Sequence, residues 1–271
     1  MLRRILALFA FAVAVRLAAQ HCVDPAVRVT HEAHGDNVYI YAELGHCIDA
    51  TVTVSAELTN MRSSRSLPAT LELRQRGRVE LGVLRPAAQG RWSYRYRYHW
   101  MNGTPGGKPD GTVYRLPFAT GGNHRLIQGH RGAFSHQAGT INEYALDWSM
   151  PEGTPVLAAR DGVVISVRQD SNHGGGDENF KQCANYVAVR HADGTYAEYL
   201  HLQVNSARVQ LGETVRTGQL LARSGNTGFS TAPHLHFVVF RTIDGQKRET
   251  LPVTFQTAEG RPIALAQGRT Y

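Results

Sequence analysis

The sequence predicts a mostly β protein, with a small β-sandwich-like domain followed by a second, antiparallel β-sheet domain. Its alternating apolar and polar runs are short and rich in β-branched and aromatic residues, as is typical of strands. No run longer than about two turns shows helical periodicity. Hydrophobic residues make up 42% of the 271 residues, which suffices for a buried core and excludes a chain that is disordered as a whole.

The N-terminal 19 residues are typical of a secretory signal peptide. Two arginines near the start precede an apolar run from Ile5 to Val15, and Ala19 offers the cleavage site. The alternative is a buried N-terminal helix, whereas a polytopic membrane protein is excluded because this run is too short to span a bilayer. We therefore expect an exported protein, periplasmic or secreted, with no stable membrane insertion after removal of the signal.

The charge pattern argues against a nucleic-acid partner. The chain carries 29 Lys and Arg against 22 Asp and Glu, which gives a formal charge of +7. These basic residues form no dense stripe of the kind that marks a nucleic-acid-binding surface. A mild positive charge instead favours anionic surfaces such as a cell wall.

The three cysteines are too few for a disulfide-stapled mini-protein, although export permits disulfides. Cys22 and Cys47 both lie in the first part of the chain and flank a candidate strand, so we expect them to pair. Cys183 is then left over, and we interpret it as a small buried residue.

We expect a first domain over residues 20–119, in which short strands at regular spacing suggest a small β-sandwich. The segment 92–100 alternates without a break, and we interpret its aromatic face as the core side of a strand. The Gly- and Pro-rich stretch 102–111 predicts a hairpin loop or linker that could fold over a groove. A wall-binding module, an inhibitory segment and a spacer all remain open as roles for this domain. Its candidate strands are Val38–Leu44, Ala50–Leu58, Thr70–Arg74, Val79–Leu84 and Trp92–Trp100.

We expect a second domain over residues 120–245, followed by a tail over 246–271. The tail either forms a closing strand or packs back on the first domain. A hairpin turn after His191 joins two alternating runs, which indicates an antiparallel sheet. The candidate strands are Pro155–Ala159, Gly162–Arg168, Asn185–His191, Tyr196–Leu202, Gly218–Ser224 and His234–Arg241.

Histidines and one aspartate of the second domain have the pattern of a metal site. His234 and His236 share one face of a strand, because residues i and i+2 point the same way. Asp147 lies between two apolar residues, where an unpaired carboxylate is costly and a cation would stabilise it. His136 precedes this aspartate, and His201 ends another alternating strand.

Two of these histidines and the aspartate would make a three-ligand set for zinc. Such a set leaves a fourth position open, as in catalytic rather than structural zinc sites. The remaining two histidines could then act as general base and as transition-state stabiliser. The residues alone thus favour a zinc hydrolase.

Four segments, taken in order, resemble motifs of the lysostaphin/LytM-type zinc metalloendopeptidases, which cut peptide cross-links in bacterial peptidoglycan. The resemblance extends from Gly129 to Arg241, under half of the chain. The segments are SHQAGTINEYALDWSMPEGTPVLAARDGVV, NYVAVRHADGTYAEYLHL, VQLGETVRTGQLLARSGNTG and APHLHF.

The resemblance implies one zinc ion per chain, bound by His136, Asp147 and His236, with His201 and His234 as catalytic residues. It also implies an open groove on the β-sheet, in which a peptidoglycan peptide is hydrolysed by a metal-activated water molecule.

The spacing departs from the family in one place. Ten residues separate His136 from Asp147, more than in many members, so His130 is the fallback ligand. Two other functions stay open: a non-catalytic module that binds cell wall or regulates amidases, and a zinc protease that acts on other proteins. The complete set of five residues favours an enzyme.

Overall fold

The computed structural model describes residues 26–257 and 260–271. The predicted signal peptide and Cys22 therefore lie outside the described residues. The mostly β, antiparallel fold class is confirmed, and the helical element is a short 3-10 helix, Glu178–Cys183. Within the described ranges, no helix has the length and apolar character needed to cross a membrane.

Two antiparallel sheets of the first part enclose one apolar core. The four-stranded sheet has the order β1-β2-β6-β4, and the three-stranded sheet has the order β5-β3-β7. Their bounds are β1 (Val27–His34), β2 (Asn37–Leu44), β3 (Ala50–Thr59), β4 (Met61–Ser63), β5 (Ala69–Leu73), β6 (Gly77–Pro86) and β7 (Ser93–Asn102).

Strands β1 and β4 are absent from the sequence prediction. The second half of β1 is exposed and polar, which hides its alternation, and β4 has only three residues. Most of the aromatic face in segment 92–100 packs against the core, where Tyr94 and Tyr96, Trp100 of β7 and the preceding Trp92 are partly buried. Tyr98 on the same face is exposed.

An eight-stranded sheet dominates the second part, with the order β16-β12-β14-β15-β19-β10-β9 and β20 paired to β19. Its neighbouring strands are all antiparallel. The bounds are β9 (Leu126–Gln128), β10 (Leu146–Ser149), β12 (Gly162–Arg168), β14 (Tyr186–Arg190), β15 (Tyr196–Leu200), β16 (Thr214–Val215), β19 (His234–Thr242) and β20 (Arg248–Thr250).

Three small sheets surround this large one. One has the order β22-β21-β8, and the others pair β11 with β17 and β13 with β18. The bounds are β8 (Tyr114–Arg115), β11 (Pro155–Leu157), β13 (Gly174–Gly175), β17 (Leu220–Arg223), β18 (Gly228–Phe229), β21 (Phe255–Gln256) and β22 (Pro262–Ile263).

The two faces of the large sheet pack against different apolar clusters. On β19, Leu235 and Phe237 point into the main apolar core. Val238 and Phe240 belong to a second cluster on the opposite face, where Ile48 from the first part packs against them. His236 has the same parity as Val238, because side chains alternate along a strand. The first part of the chain therefore lies on the same sheet face as His236, displaced along the strands.

Polar contacts fix this arrangement. Asn102 at the end of β7 donates through Nδ2 to Oε1 of Glu198 on β15, at 2.9 Å. Arg190 forms an ion pair with Asp49, whose side chain is buried. The backbone N–H of Thr104 donates to the Tyr196 hydroxyl at 3.0 Å. A Cβ on Gly103 would lie 2.5 Å from the Tyr196 ring, so glycine permits the close approach of the two parts.

The Gly- and Pro-rich stretch 102–111 is attached to the turn at 191–195, away from His236. Lys108 N–H donates to the Asp193 carbonyl at 2.9 Å. Arg160 forms ion pairs with both Asp110 and Asp193, each at 2.8 Å. This stretch is therefore pinned to the sheet domain and does not cover a groove.

The expected Cys22–Cys47 disulfide is wrong. Cys47 is a buried thiol, which donates to the Ala26 carbonyl at 3.7 Å, and it forms no disulfide. Cys183, expected to be left over, is disulfide-bonded. Proximity in sequence misled the expectation, because disulfide formation requires proximity in space.

The C-terminal segment from 246 packs on the second part of the chain. Its strand β20 continues the large sheet, and β21 pairs with β8. Near the terminus, Leu126 N–H donates to the Arg269 carbonyl at 2.8 Å. The predicted boundary at 245 falls within the hairpin that joins β19 to β20.

Candidate metal and catalytic site

The structure brings all five predicted site residues together at one end of the large sheet. Asp147 on β10 is directly opposite His236 on β19, and β15 on the other side of β19 ends next to His201. His234 begins β19, and His136 comes from the loop between β9 and β10. Ligand atoms of His136, Asp147 and His236 all lie within 4.8 Å of one another.

Asp147 is the centre of this cluster, and its side chain is almost completely buried. Its Oδ1 lies 2.8 Å from His236 Nδ1, and its Oδ2 lies 3.3 Å from His136 Nε2. Burial raises the pKa of this carboxyl, but the neighbouring His236 outweighs burial and holds the pKa well below its usual range. The residue is therefore a carboxylate at neutral pH.

His136 presents one nitrogen to the cluster. Its ring is fully buried, and Nδ1 donates to the Gly129 carbonyl at 3.1 Å. This bond leaves the lone pair on Nε2, which faces Asp147 and has no hydrogen-bond partner. A buried nitrogen without a partner is costly unless it has a ligand to bind.

His201 and His234 are oriented by backbone carbonyls. His201 Nδ1 donates to the Thr227 carbonyl at 2.6 Å, and His234 Nδ1 donates to the Ala232 carbonyl at 2.8 Å. In both rings this leaves Nε2 as the basic nitrogen. The ring centroids are 4.5 Å apart, and His234 Nε2 lies 4.0 Å from Asp147 Oδ1.

His201 is also held neutral and in an unusual backbone conformation. Burial and the nearby His234 and His236 lower its pKa to about 3. Its φ is +61°, in the left-handed region that non-glycine residues seldom adopt. Strained backbone of this kind is enriched at functional sites.

Two nitrogens and one carboxylate, with the lone pairs converging, fit a zinc ion better than a calcium or magnesium ion, which prefer oxygen ligands. The unpartnered Nε2 of His136 and the buried Asp147 support this fit. Three protein ligands leave a position for water or substrate.

The loop between β9 and β10, which carries His136, is closed by its own contacts. Arg131 N–H donates to the Glu143 carbonyl at 2.6 Å, and the Arg131 guanidinium pairs with the Glu143 carboxylate at 2.8 Å. These contacts join the two ends of the loop and hold His136 next to Asp147. His130, the fallback ligand, packs edge-on against Tyr144 and is not in the cluster; burial lowers its pKa to about 4.

One contributor was missed by the sequence analysis. Gln128 on β9 donates through Nε2 to Asp147 Oδ2 at 2.9 Å and to the Ser135 hydroxyl at 2.7 Å. Its Oε1 accepts from Ser135 N–H at 3.1 Å. It therefore supports the carboxylate and the segment next to His136 together. The pairing of β9 with β10 places Gln128 next to Asp147, and no local pattern in the sequence predicts that pairing.

The comparisons with known proteins agree with this geometry. Peptidase family M23 matches residues 142–249, a range that contains Asp147, His201, His234 and His236. His136 lies six residues before the match.

Two curated relatives are peptidoglycan or glycyl-glycine endopeptidases by name. Glycyl-glycine endopeptidase ALE-1 of Staphylococcus capitis is 39% identical over 97 residues, which covers 35% of this chain and 24% of that protein. Peptidoglycan DD-endopeptidase ShyA of Vibrio cholerae is 40% identical over 91 residues, 34% of this chain and 18% of that protein. The match thus spans a quarter or less of these relatives.

Among solved structures, lysostaphin from Staphylococcus simulans is similar at 29% identity, with 49% of this chain and 50% of that chain covered and a TM-score of 0.36. Residues 142–249 of this chain therefore form a domain of peptidase family M23.

Proposed function

We propose that this chain is an exported zinc-dependent endopeptidase that hydrolyses peptide cross-links of bacterial peptidoglycan. The observation that carries the proposal is the buried cluster of His136, Asp147 and His236, next to two histidines whose Nδ1 atoms are fixed on carbonyls. The activities named for the two relatives support peptidoglycan as the substrate. The signal-like N-terminus supports export.

His136 through Nε2, Asp147 through a carboxylate oxygen and His236 through Nδ1 would hold the zinc ion. When bound, zinc lowers the pKa of a coordinated water molecule and polarises a carbonyl group. Gln128 keeps the Asp147 carboxylate in place, and the Gly129 carbonyl keeps His136 in the correct tautomer.

His201 and His234 share the proton transfer and the stabilisation of the oxyanion. Each ring presents Nε2 with its lone pair, because its Nδ1–H is bound to a carbonyl. One nitrogen accepts a proton from the attacking water, and a protonated ring can then donate to the developing oxyanion or to the leaving amine. Ser230 Oγ, 3.0 Å from His234 Nδ1, adds a second contact that holds this ring.

The experiment is digestion of purified peptidoglycan by the zinc-loaded chain, with and without a chelator, read by mass spectrometry. The proposal predicts new, chelator-sensitive amine termini at a defined cross-link. Intact peptidoglycan in the presence of one bound zinc ion per chain would contradict it. Cleavage of ordinary proteins instead would favour the protease that acts on non-wall substrates.

A further inference from the structure

A solvent-exposed phenylalanine lies beside the metal-ligand cluster. Phe134 is 71% exposed, the largest value among the exposed large hydrophobic residues. It precedes His136 by two residues, in the segment that Gln128 fixes through Ser135. One exposed apolar residue is common on protein surfaces, whereas contiguous exposed apolar side chains often mark binding sites.

A second phenylalanine, Phe229, contacts it from the segment that also contacts His201 and His234. Phe229, on β18, is half-buried, and its ring is nearly parallel to that of Phe134, with 6.4 Å between centroids and 11° between planes. Phe229 lies between Thr227, whose carbonyl fixes His201, and Ser230, whose hydroxyl contacts His234. The two rings thus belong to the segments that position a metal ligand and both candidate catalytic histidines.

The supporting backbone around Phe229 is well fixed. β18 pairs in parallel with β13, which puts Gly175 opposite Phe229. A Cβ on Gly228 would lie 2.6 Å from that of Ala184, so the strand approaches its neighbour closely. Lys181 places its ammonium group 5.8 Å from the Phe229 centroid and also pairs with Glu178 at 2.8 Å. The Lys181–Glu178 ion pair therefore borders the aromatic pair on the Phe229 side.

We propose that Phe134 and Phe229 form a subsite for an apolar side chain of the bound peptide, at a residue next to the scissile bond. The subsite selects against glycine at that position, since glycine has no side chain to bury. This inference rests on the proposed function for the identity of the ligand as a peptide. It concerns which peptide the groove prefers.

The expected size of the preference follows from burial. Each fully buried methylene contributes roughly fourfold to affinity. An open subsite buries only part of a leucine side chain, so we expect on the order of tenfold between glycine and leucine. Contact with the flat rings increases the affinity for both aromatic and aliphatic side chains.

The experiment measures peptide binding, so it does not depend on turnover. The probes are N-acetylated, C-amidated pentaglycine and variants with alanine, norvaline or leucine at the central position, titrated into zinc-loaded His201→Ala protein by calorimetry. We expect affinity to rise with side-chain size. Phe134→Ala and Phe229→Ala, each added to His201→Ala, should bring the leucine peptide to the pentaglycine value and leave pentaglycine unchanged.

Ile141→Ala is the matched control, because Ile141 is also an exposed apolar residue of the same loop, at 48%, and has no place in the aromatic pair. It should leave the preference intact. A preference that survives both phenylalanine substitutions, or no measurable peptide binding, would overturn the inference. Tighter binding of all peptides after Phe134→Ala would also overturn it, since the pair would then be a gate.

Failure of the proposed function is a separate result. If the parent protein cleaved no peptidoglycan while His201→Ala showed the size preference, the subsite would stand and the hydrolytic activity would not.

Discussion

Arg248 links the first part of the chain to the loop that carries His136. Its Nη1 pairs with Glu198 Oε2 at 2.5 Å, and Glu198 Oε1 accepts from Asn102 of β7. On the other side, Arg248 Nε donates to the Ile141 carbonyl and Nη2 to Asn142 Oδ1, each at 3.0 Å. A substitution here should therefore affect both stability and the loop that carries His136.

The perturbation is Arg248→Met, which keeps most of the side-chain volume and removes the charge. The side chains of Arg248 and Glu198 are 8% and 9% exposed, so the change leaves a buried carboxylate with only the Asn102 amide as a partner. Breaking one side of a buried ion pair costs about 3–5 kcal/mol. The Glu198 carboxylate keeps one hydrogen bond, so we expect the low end, about 3 kcal/mol of unfolding free energy.

The assay is urea denaturation of zinc-loaded protein, combined with hydrogen exchange of residues 137–145. The matched control is Arg241→Met, on the same β19–β20 hairpin. Its partner is Glu249 at 2.6 Å, but these side chains are 37% and 49% exposed. An exposed pair contributes about 0–1 kcal/mol. Equal losses in both variants, or unchanged exchange in the loop after Arg248→Met, would refute the reasoning.

Three further predictions concern the support of the site, pH and processing. Gln128→Ala should weaken zinc binding about tenfold or more, because Asp147 loses an orienting donor; chelator competition measures this, with the exposed Gln137→Ala as control. Burial lowers the pKa of His191 to about 4 in the folded protein. The unfolded chain takes up this proton near pH 6.5, so the unfolding free energy should decrease as pH falls from about 6.5 to 4. His191→Phe should make that dependence less steep in pH-resolved denaturation, because the other buried histidines, such as His130, still contribute to it. Finally, N-terminal sequencing of the exported protein should begin at Gln20.

Each of these three predictions has a result that would contradict it. A Gln137→Ala loss equal to that of Gln128→Ala would remove the special role of Gln128. An unchanged pH slope in His191→Phe would mean that this histidine takes up its proton in the folded state. Retention of residues 1–19 in protein recovered outside the cytoplasm would refute the predicted cleavage.

Strong local patterns made much of the second domain predictable from sequence. The alternation in APHLHF places His234 and His236 on one face, and the structure agrees. Asp147 is flanked by Leu146 and Trp148, which are buried in the core, so its own burial could be anticipated. The five site residues are adjacent in space, although their assignment as ligands and catalysts stays a prediction.

Contacts between distant segments were not predictable. Gln128 supports the site only because β9 happens to pair with β10, and Arg248 only because β20 folds back on β19. The expected cysteine pairing failed for the same reason, since a disulfide depends on proximity in space and not in sequence. Phe134 looks like an ordinary loop residue until its exposure and its partner Phe229 are visible.

We propose that His136, Asp147 and His236 hold a metal ion and that His201 and His234 perform the hydrolysis. The most direct measurement determines zinc content and peptidoglycan cleavage together for the parent chain, Asp147→Ala and His201→Ala. We expect Asp147→Ala to lose both, because a ligand and its charge are gone, whereas His201→Ala should keep one zinc ion per chain and lose most turnover. An empty site in His201→Ala, or full cleavage by Asp147→Ala, would contradict this proposal.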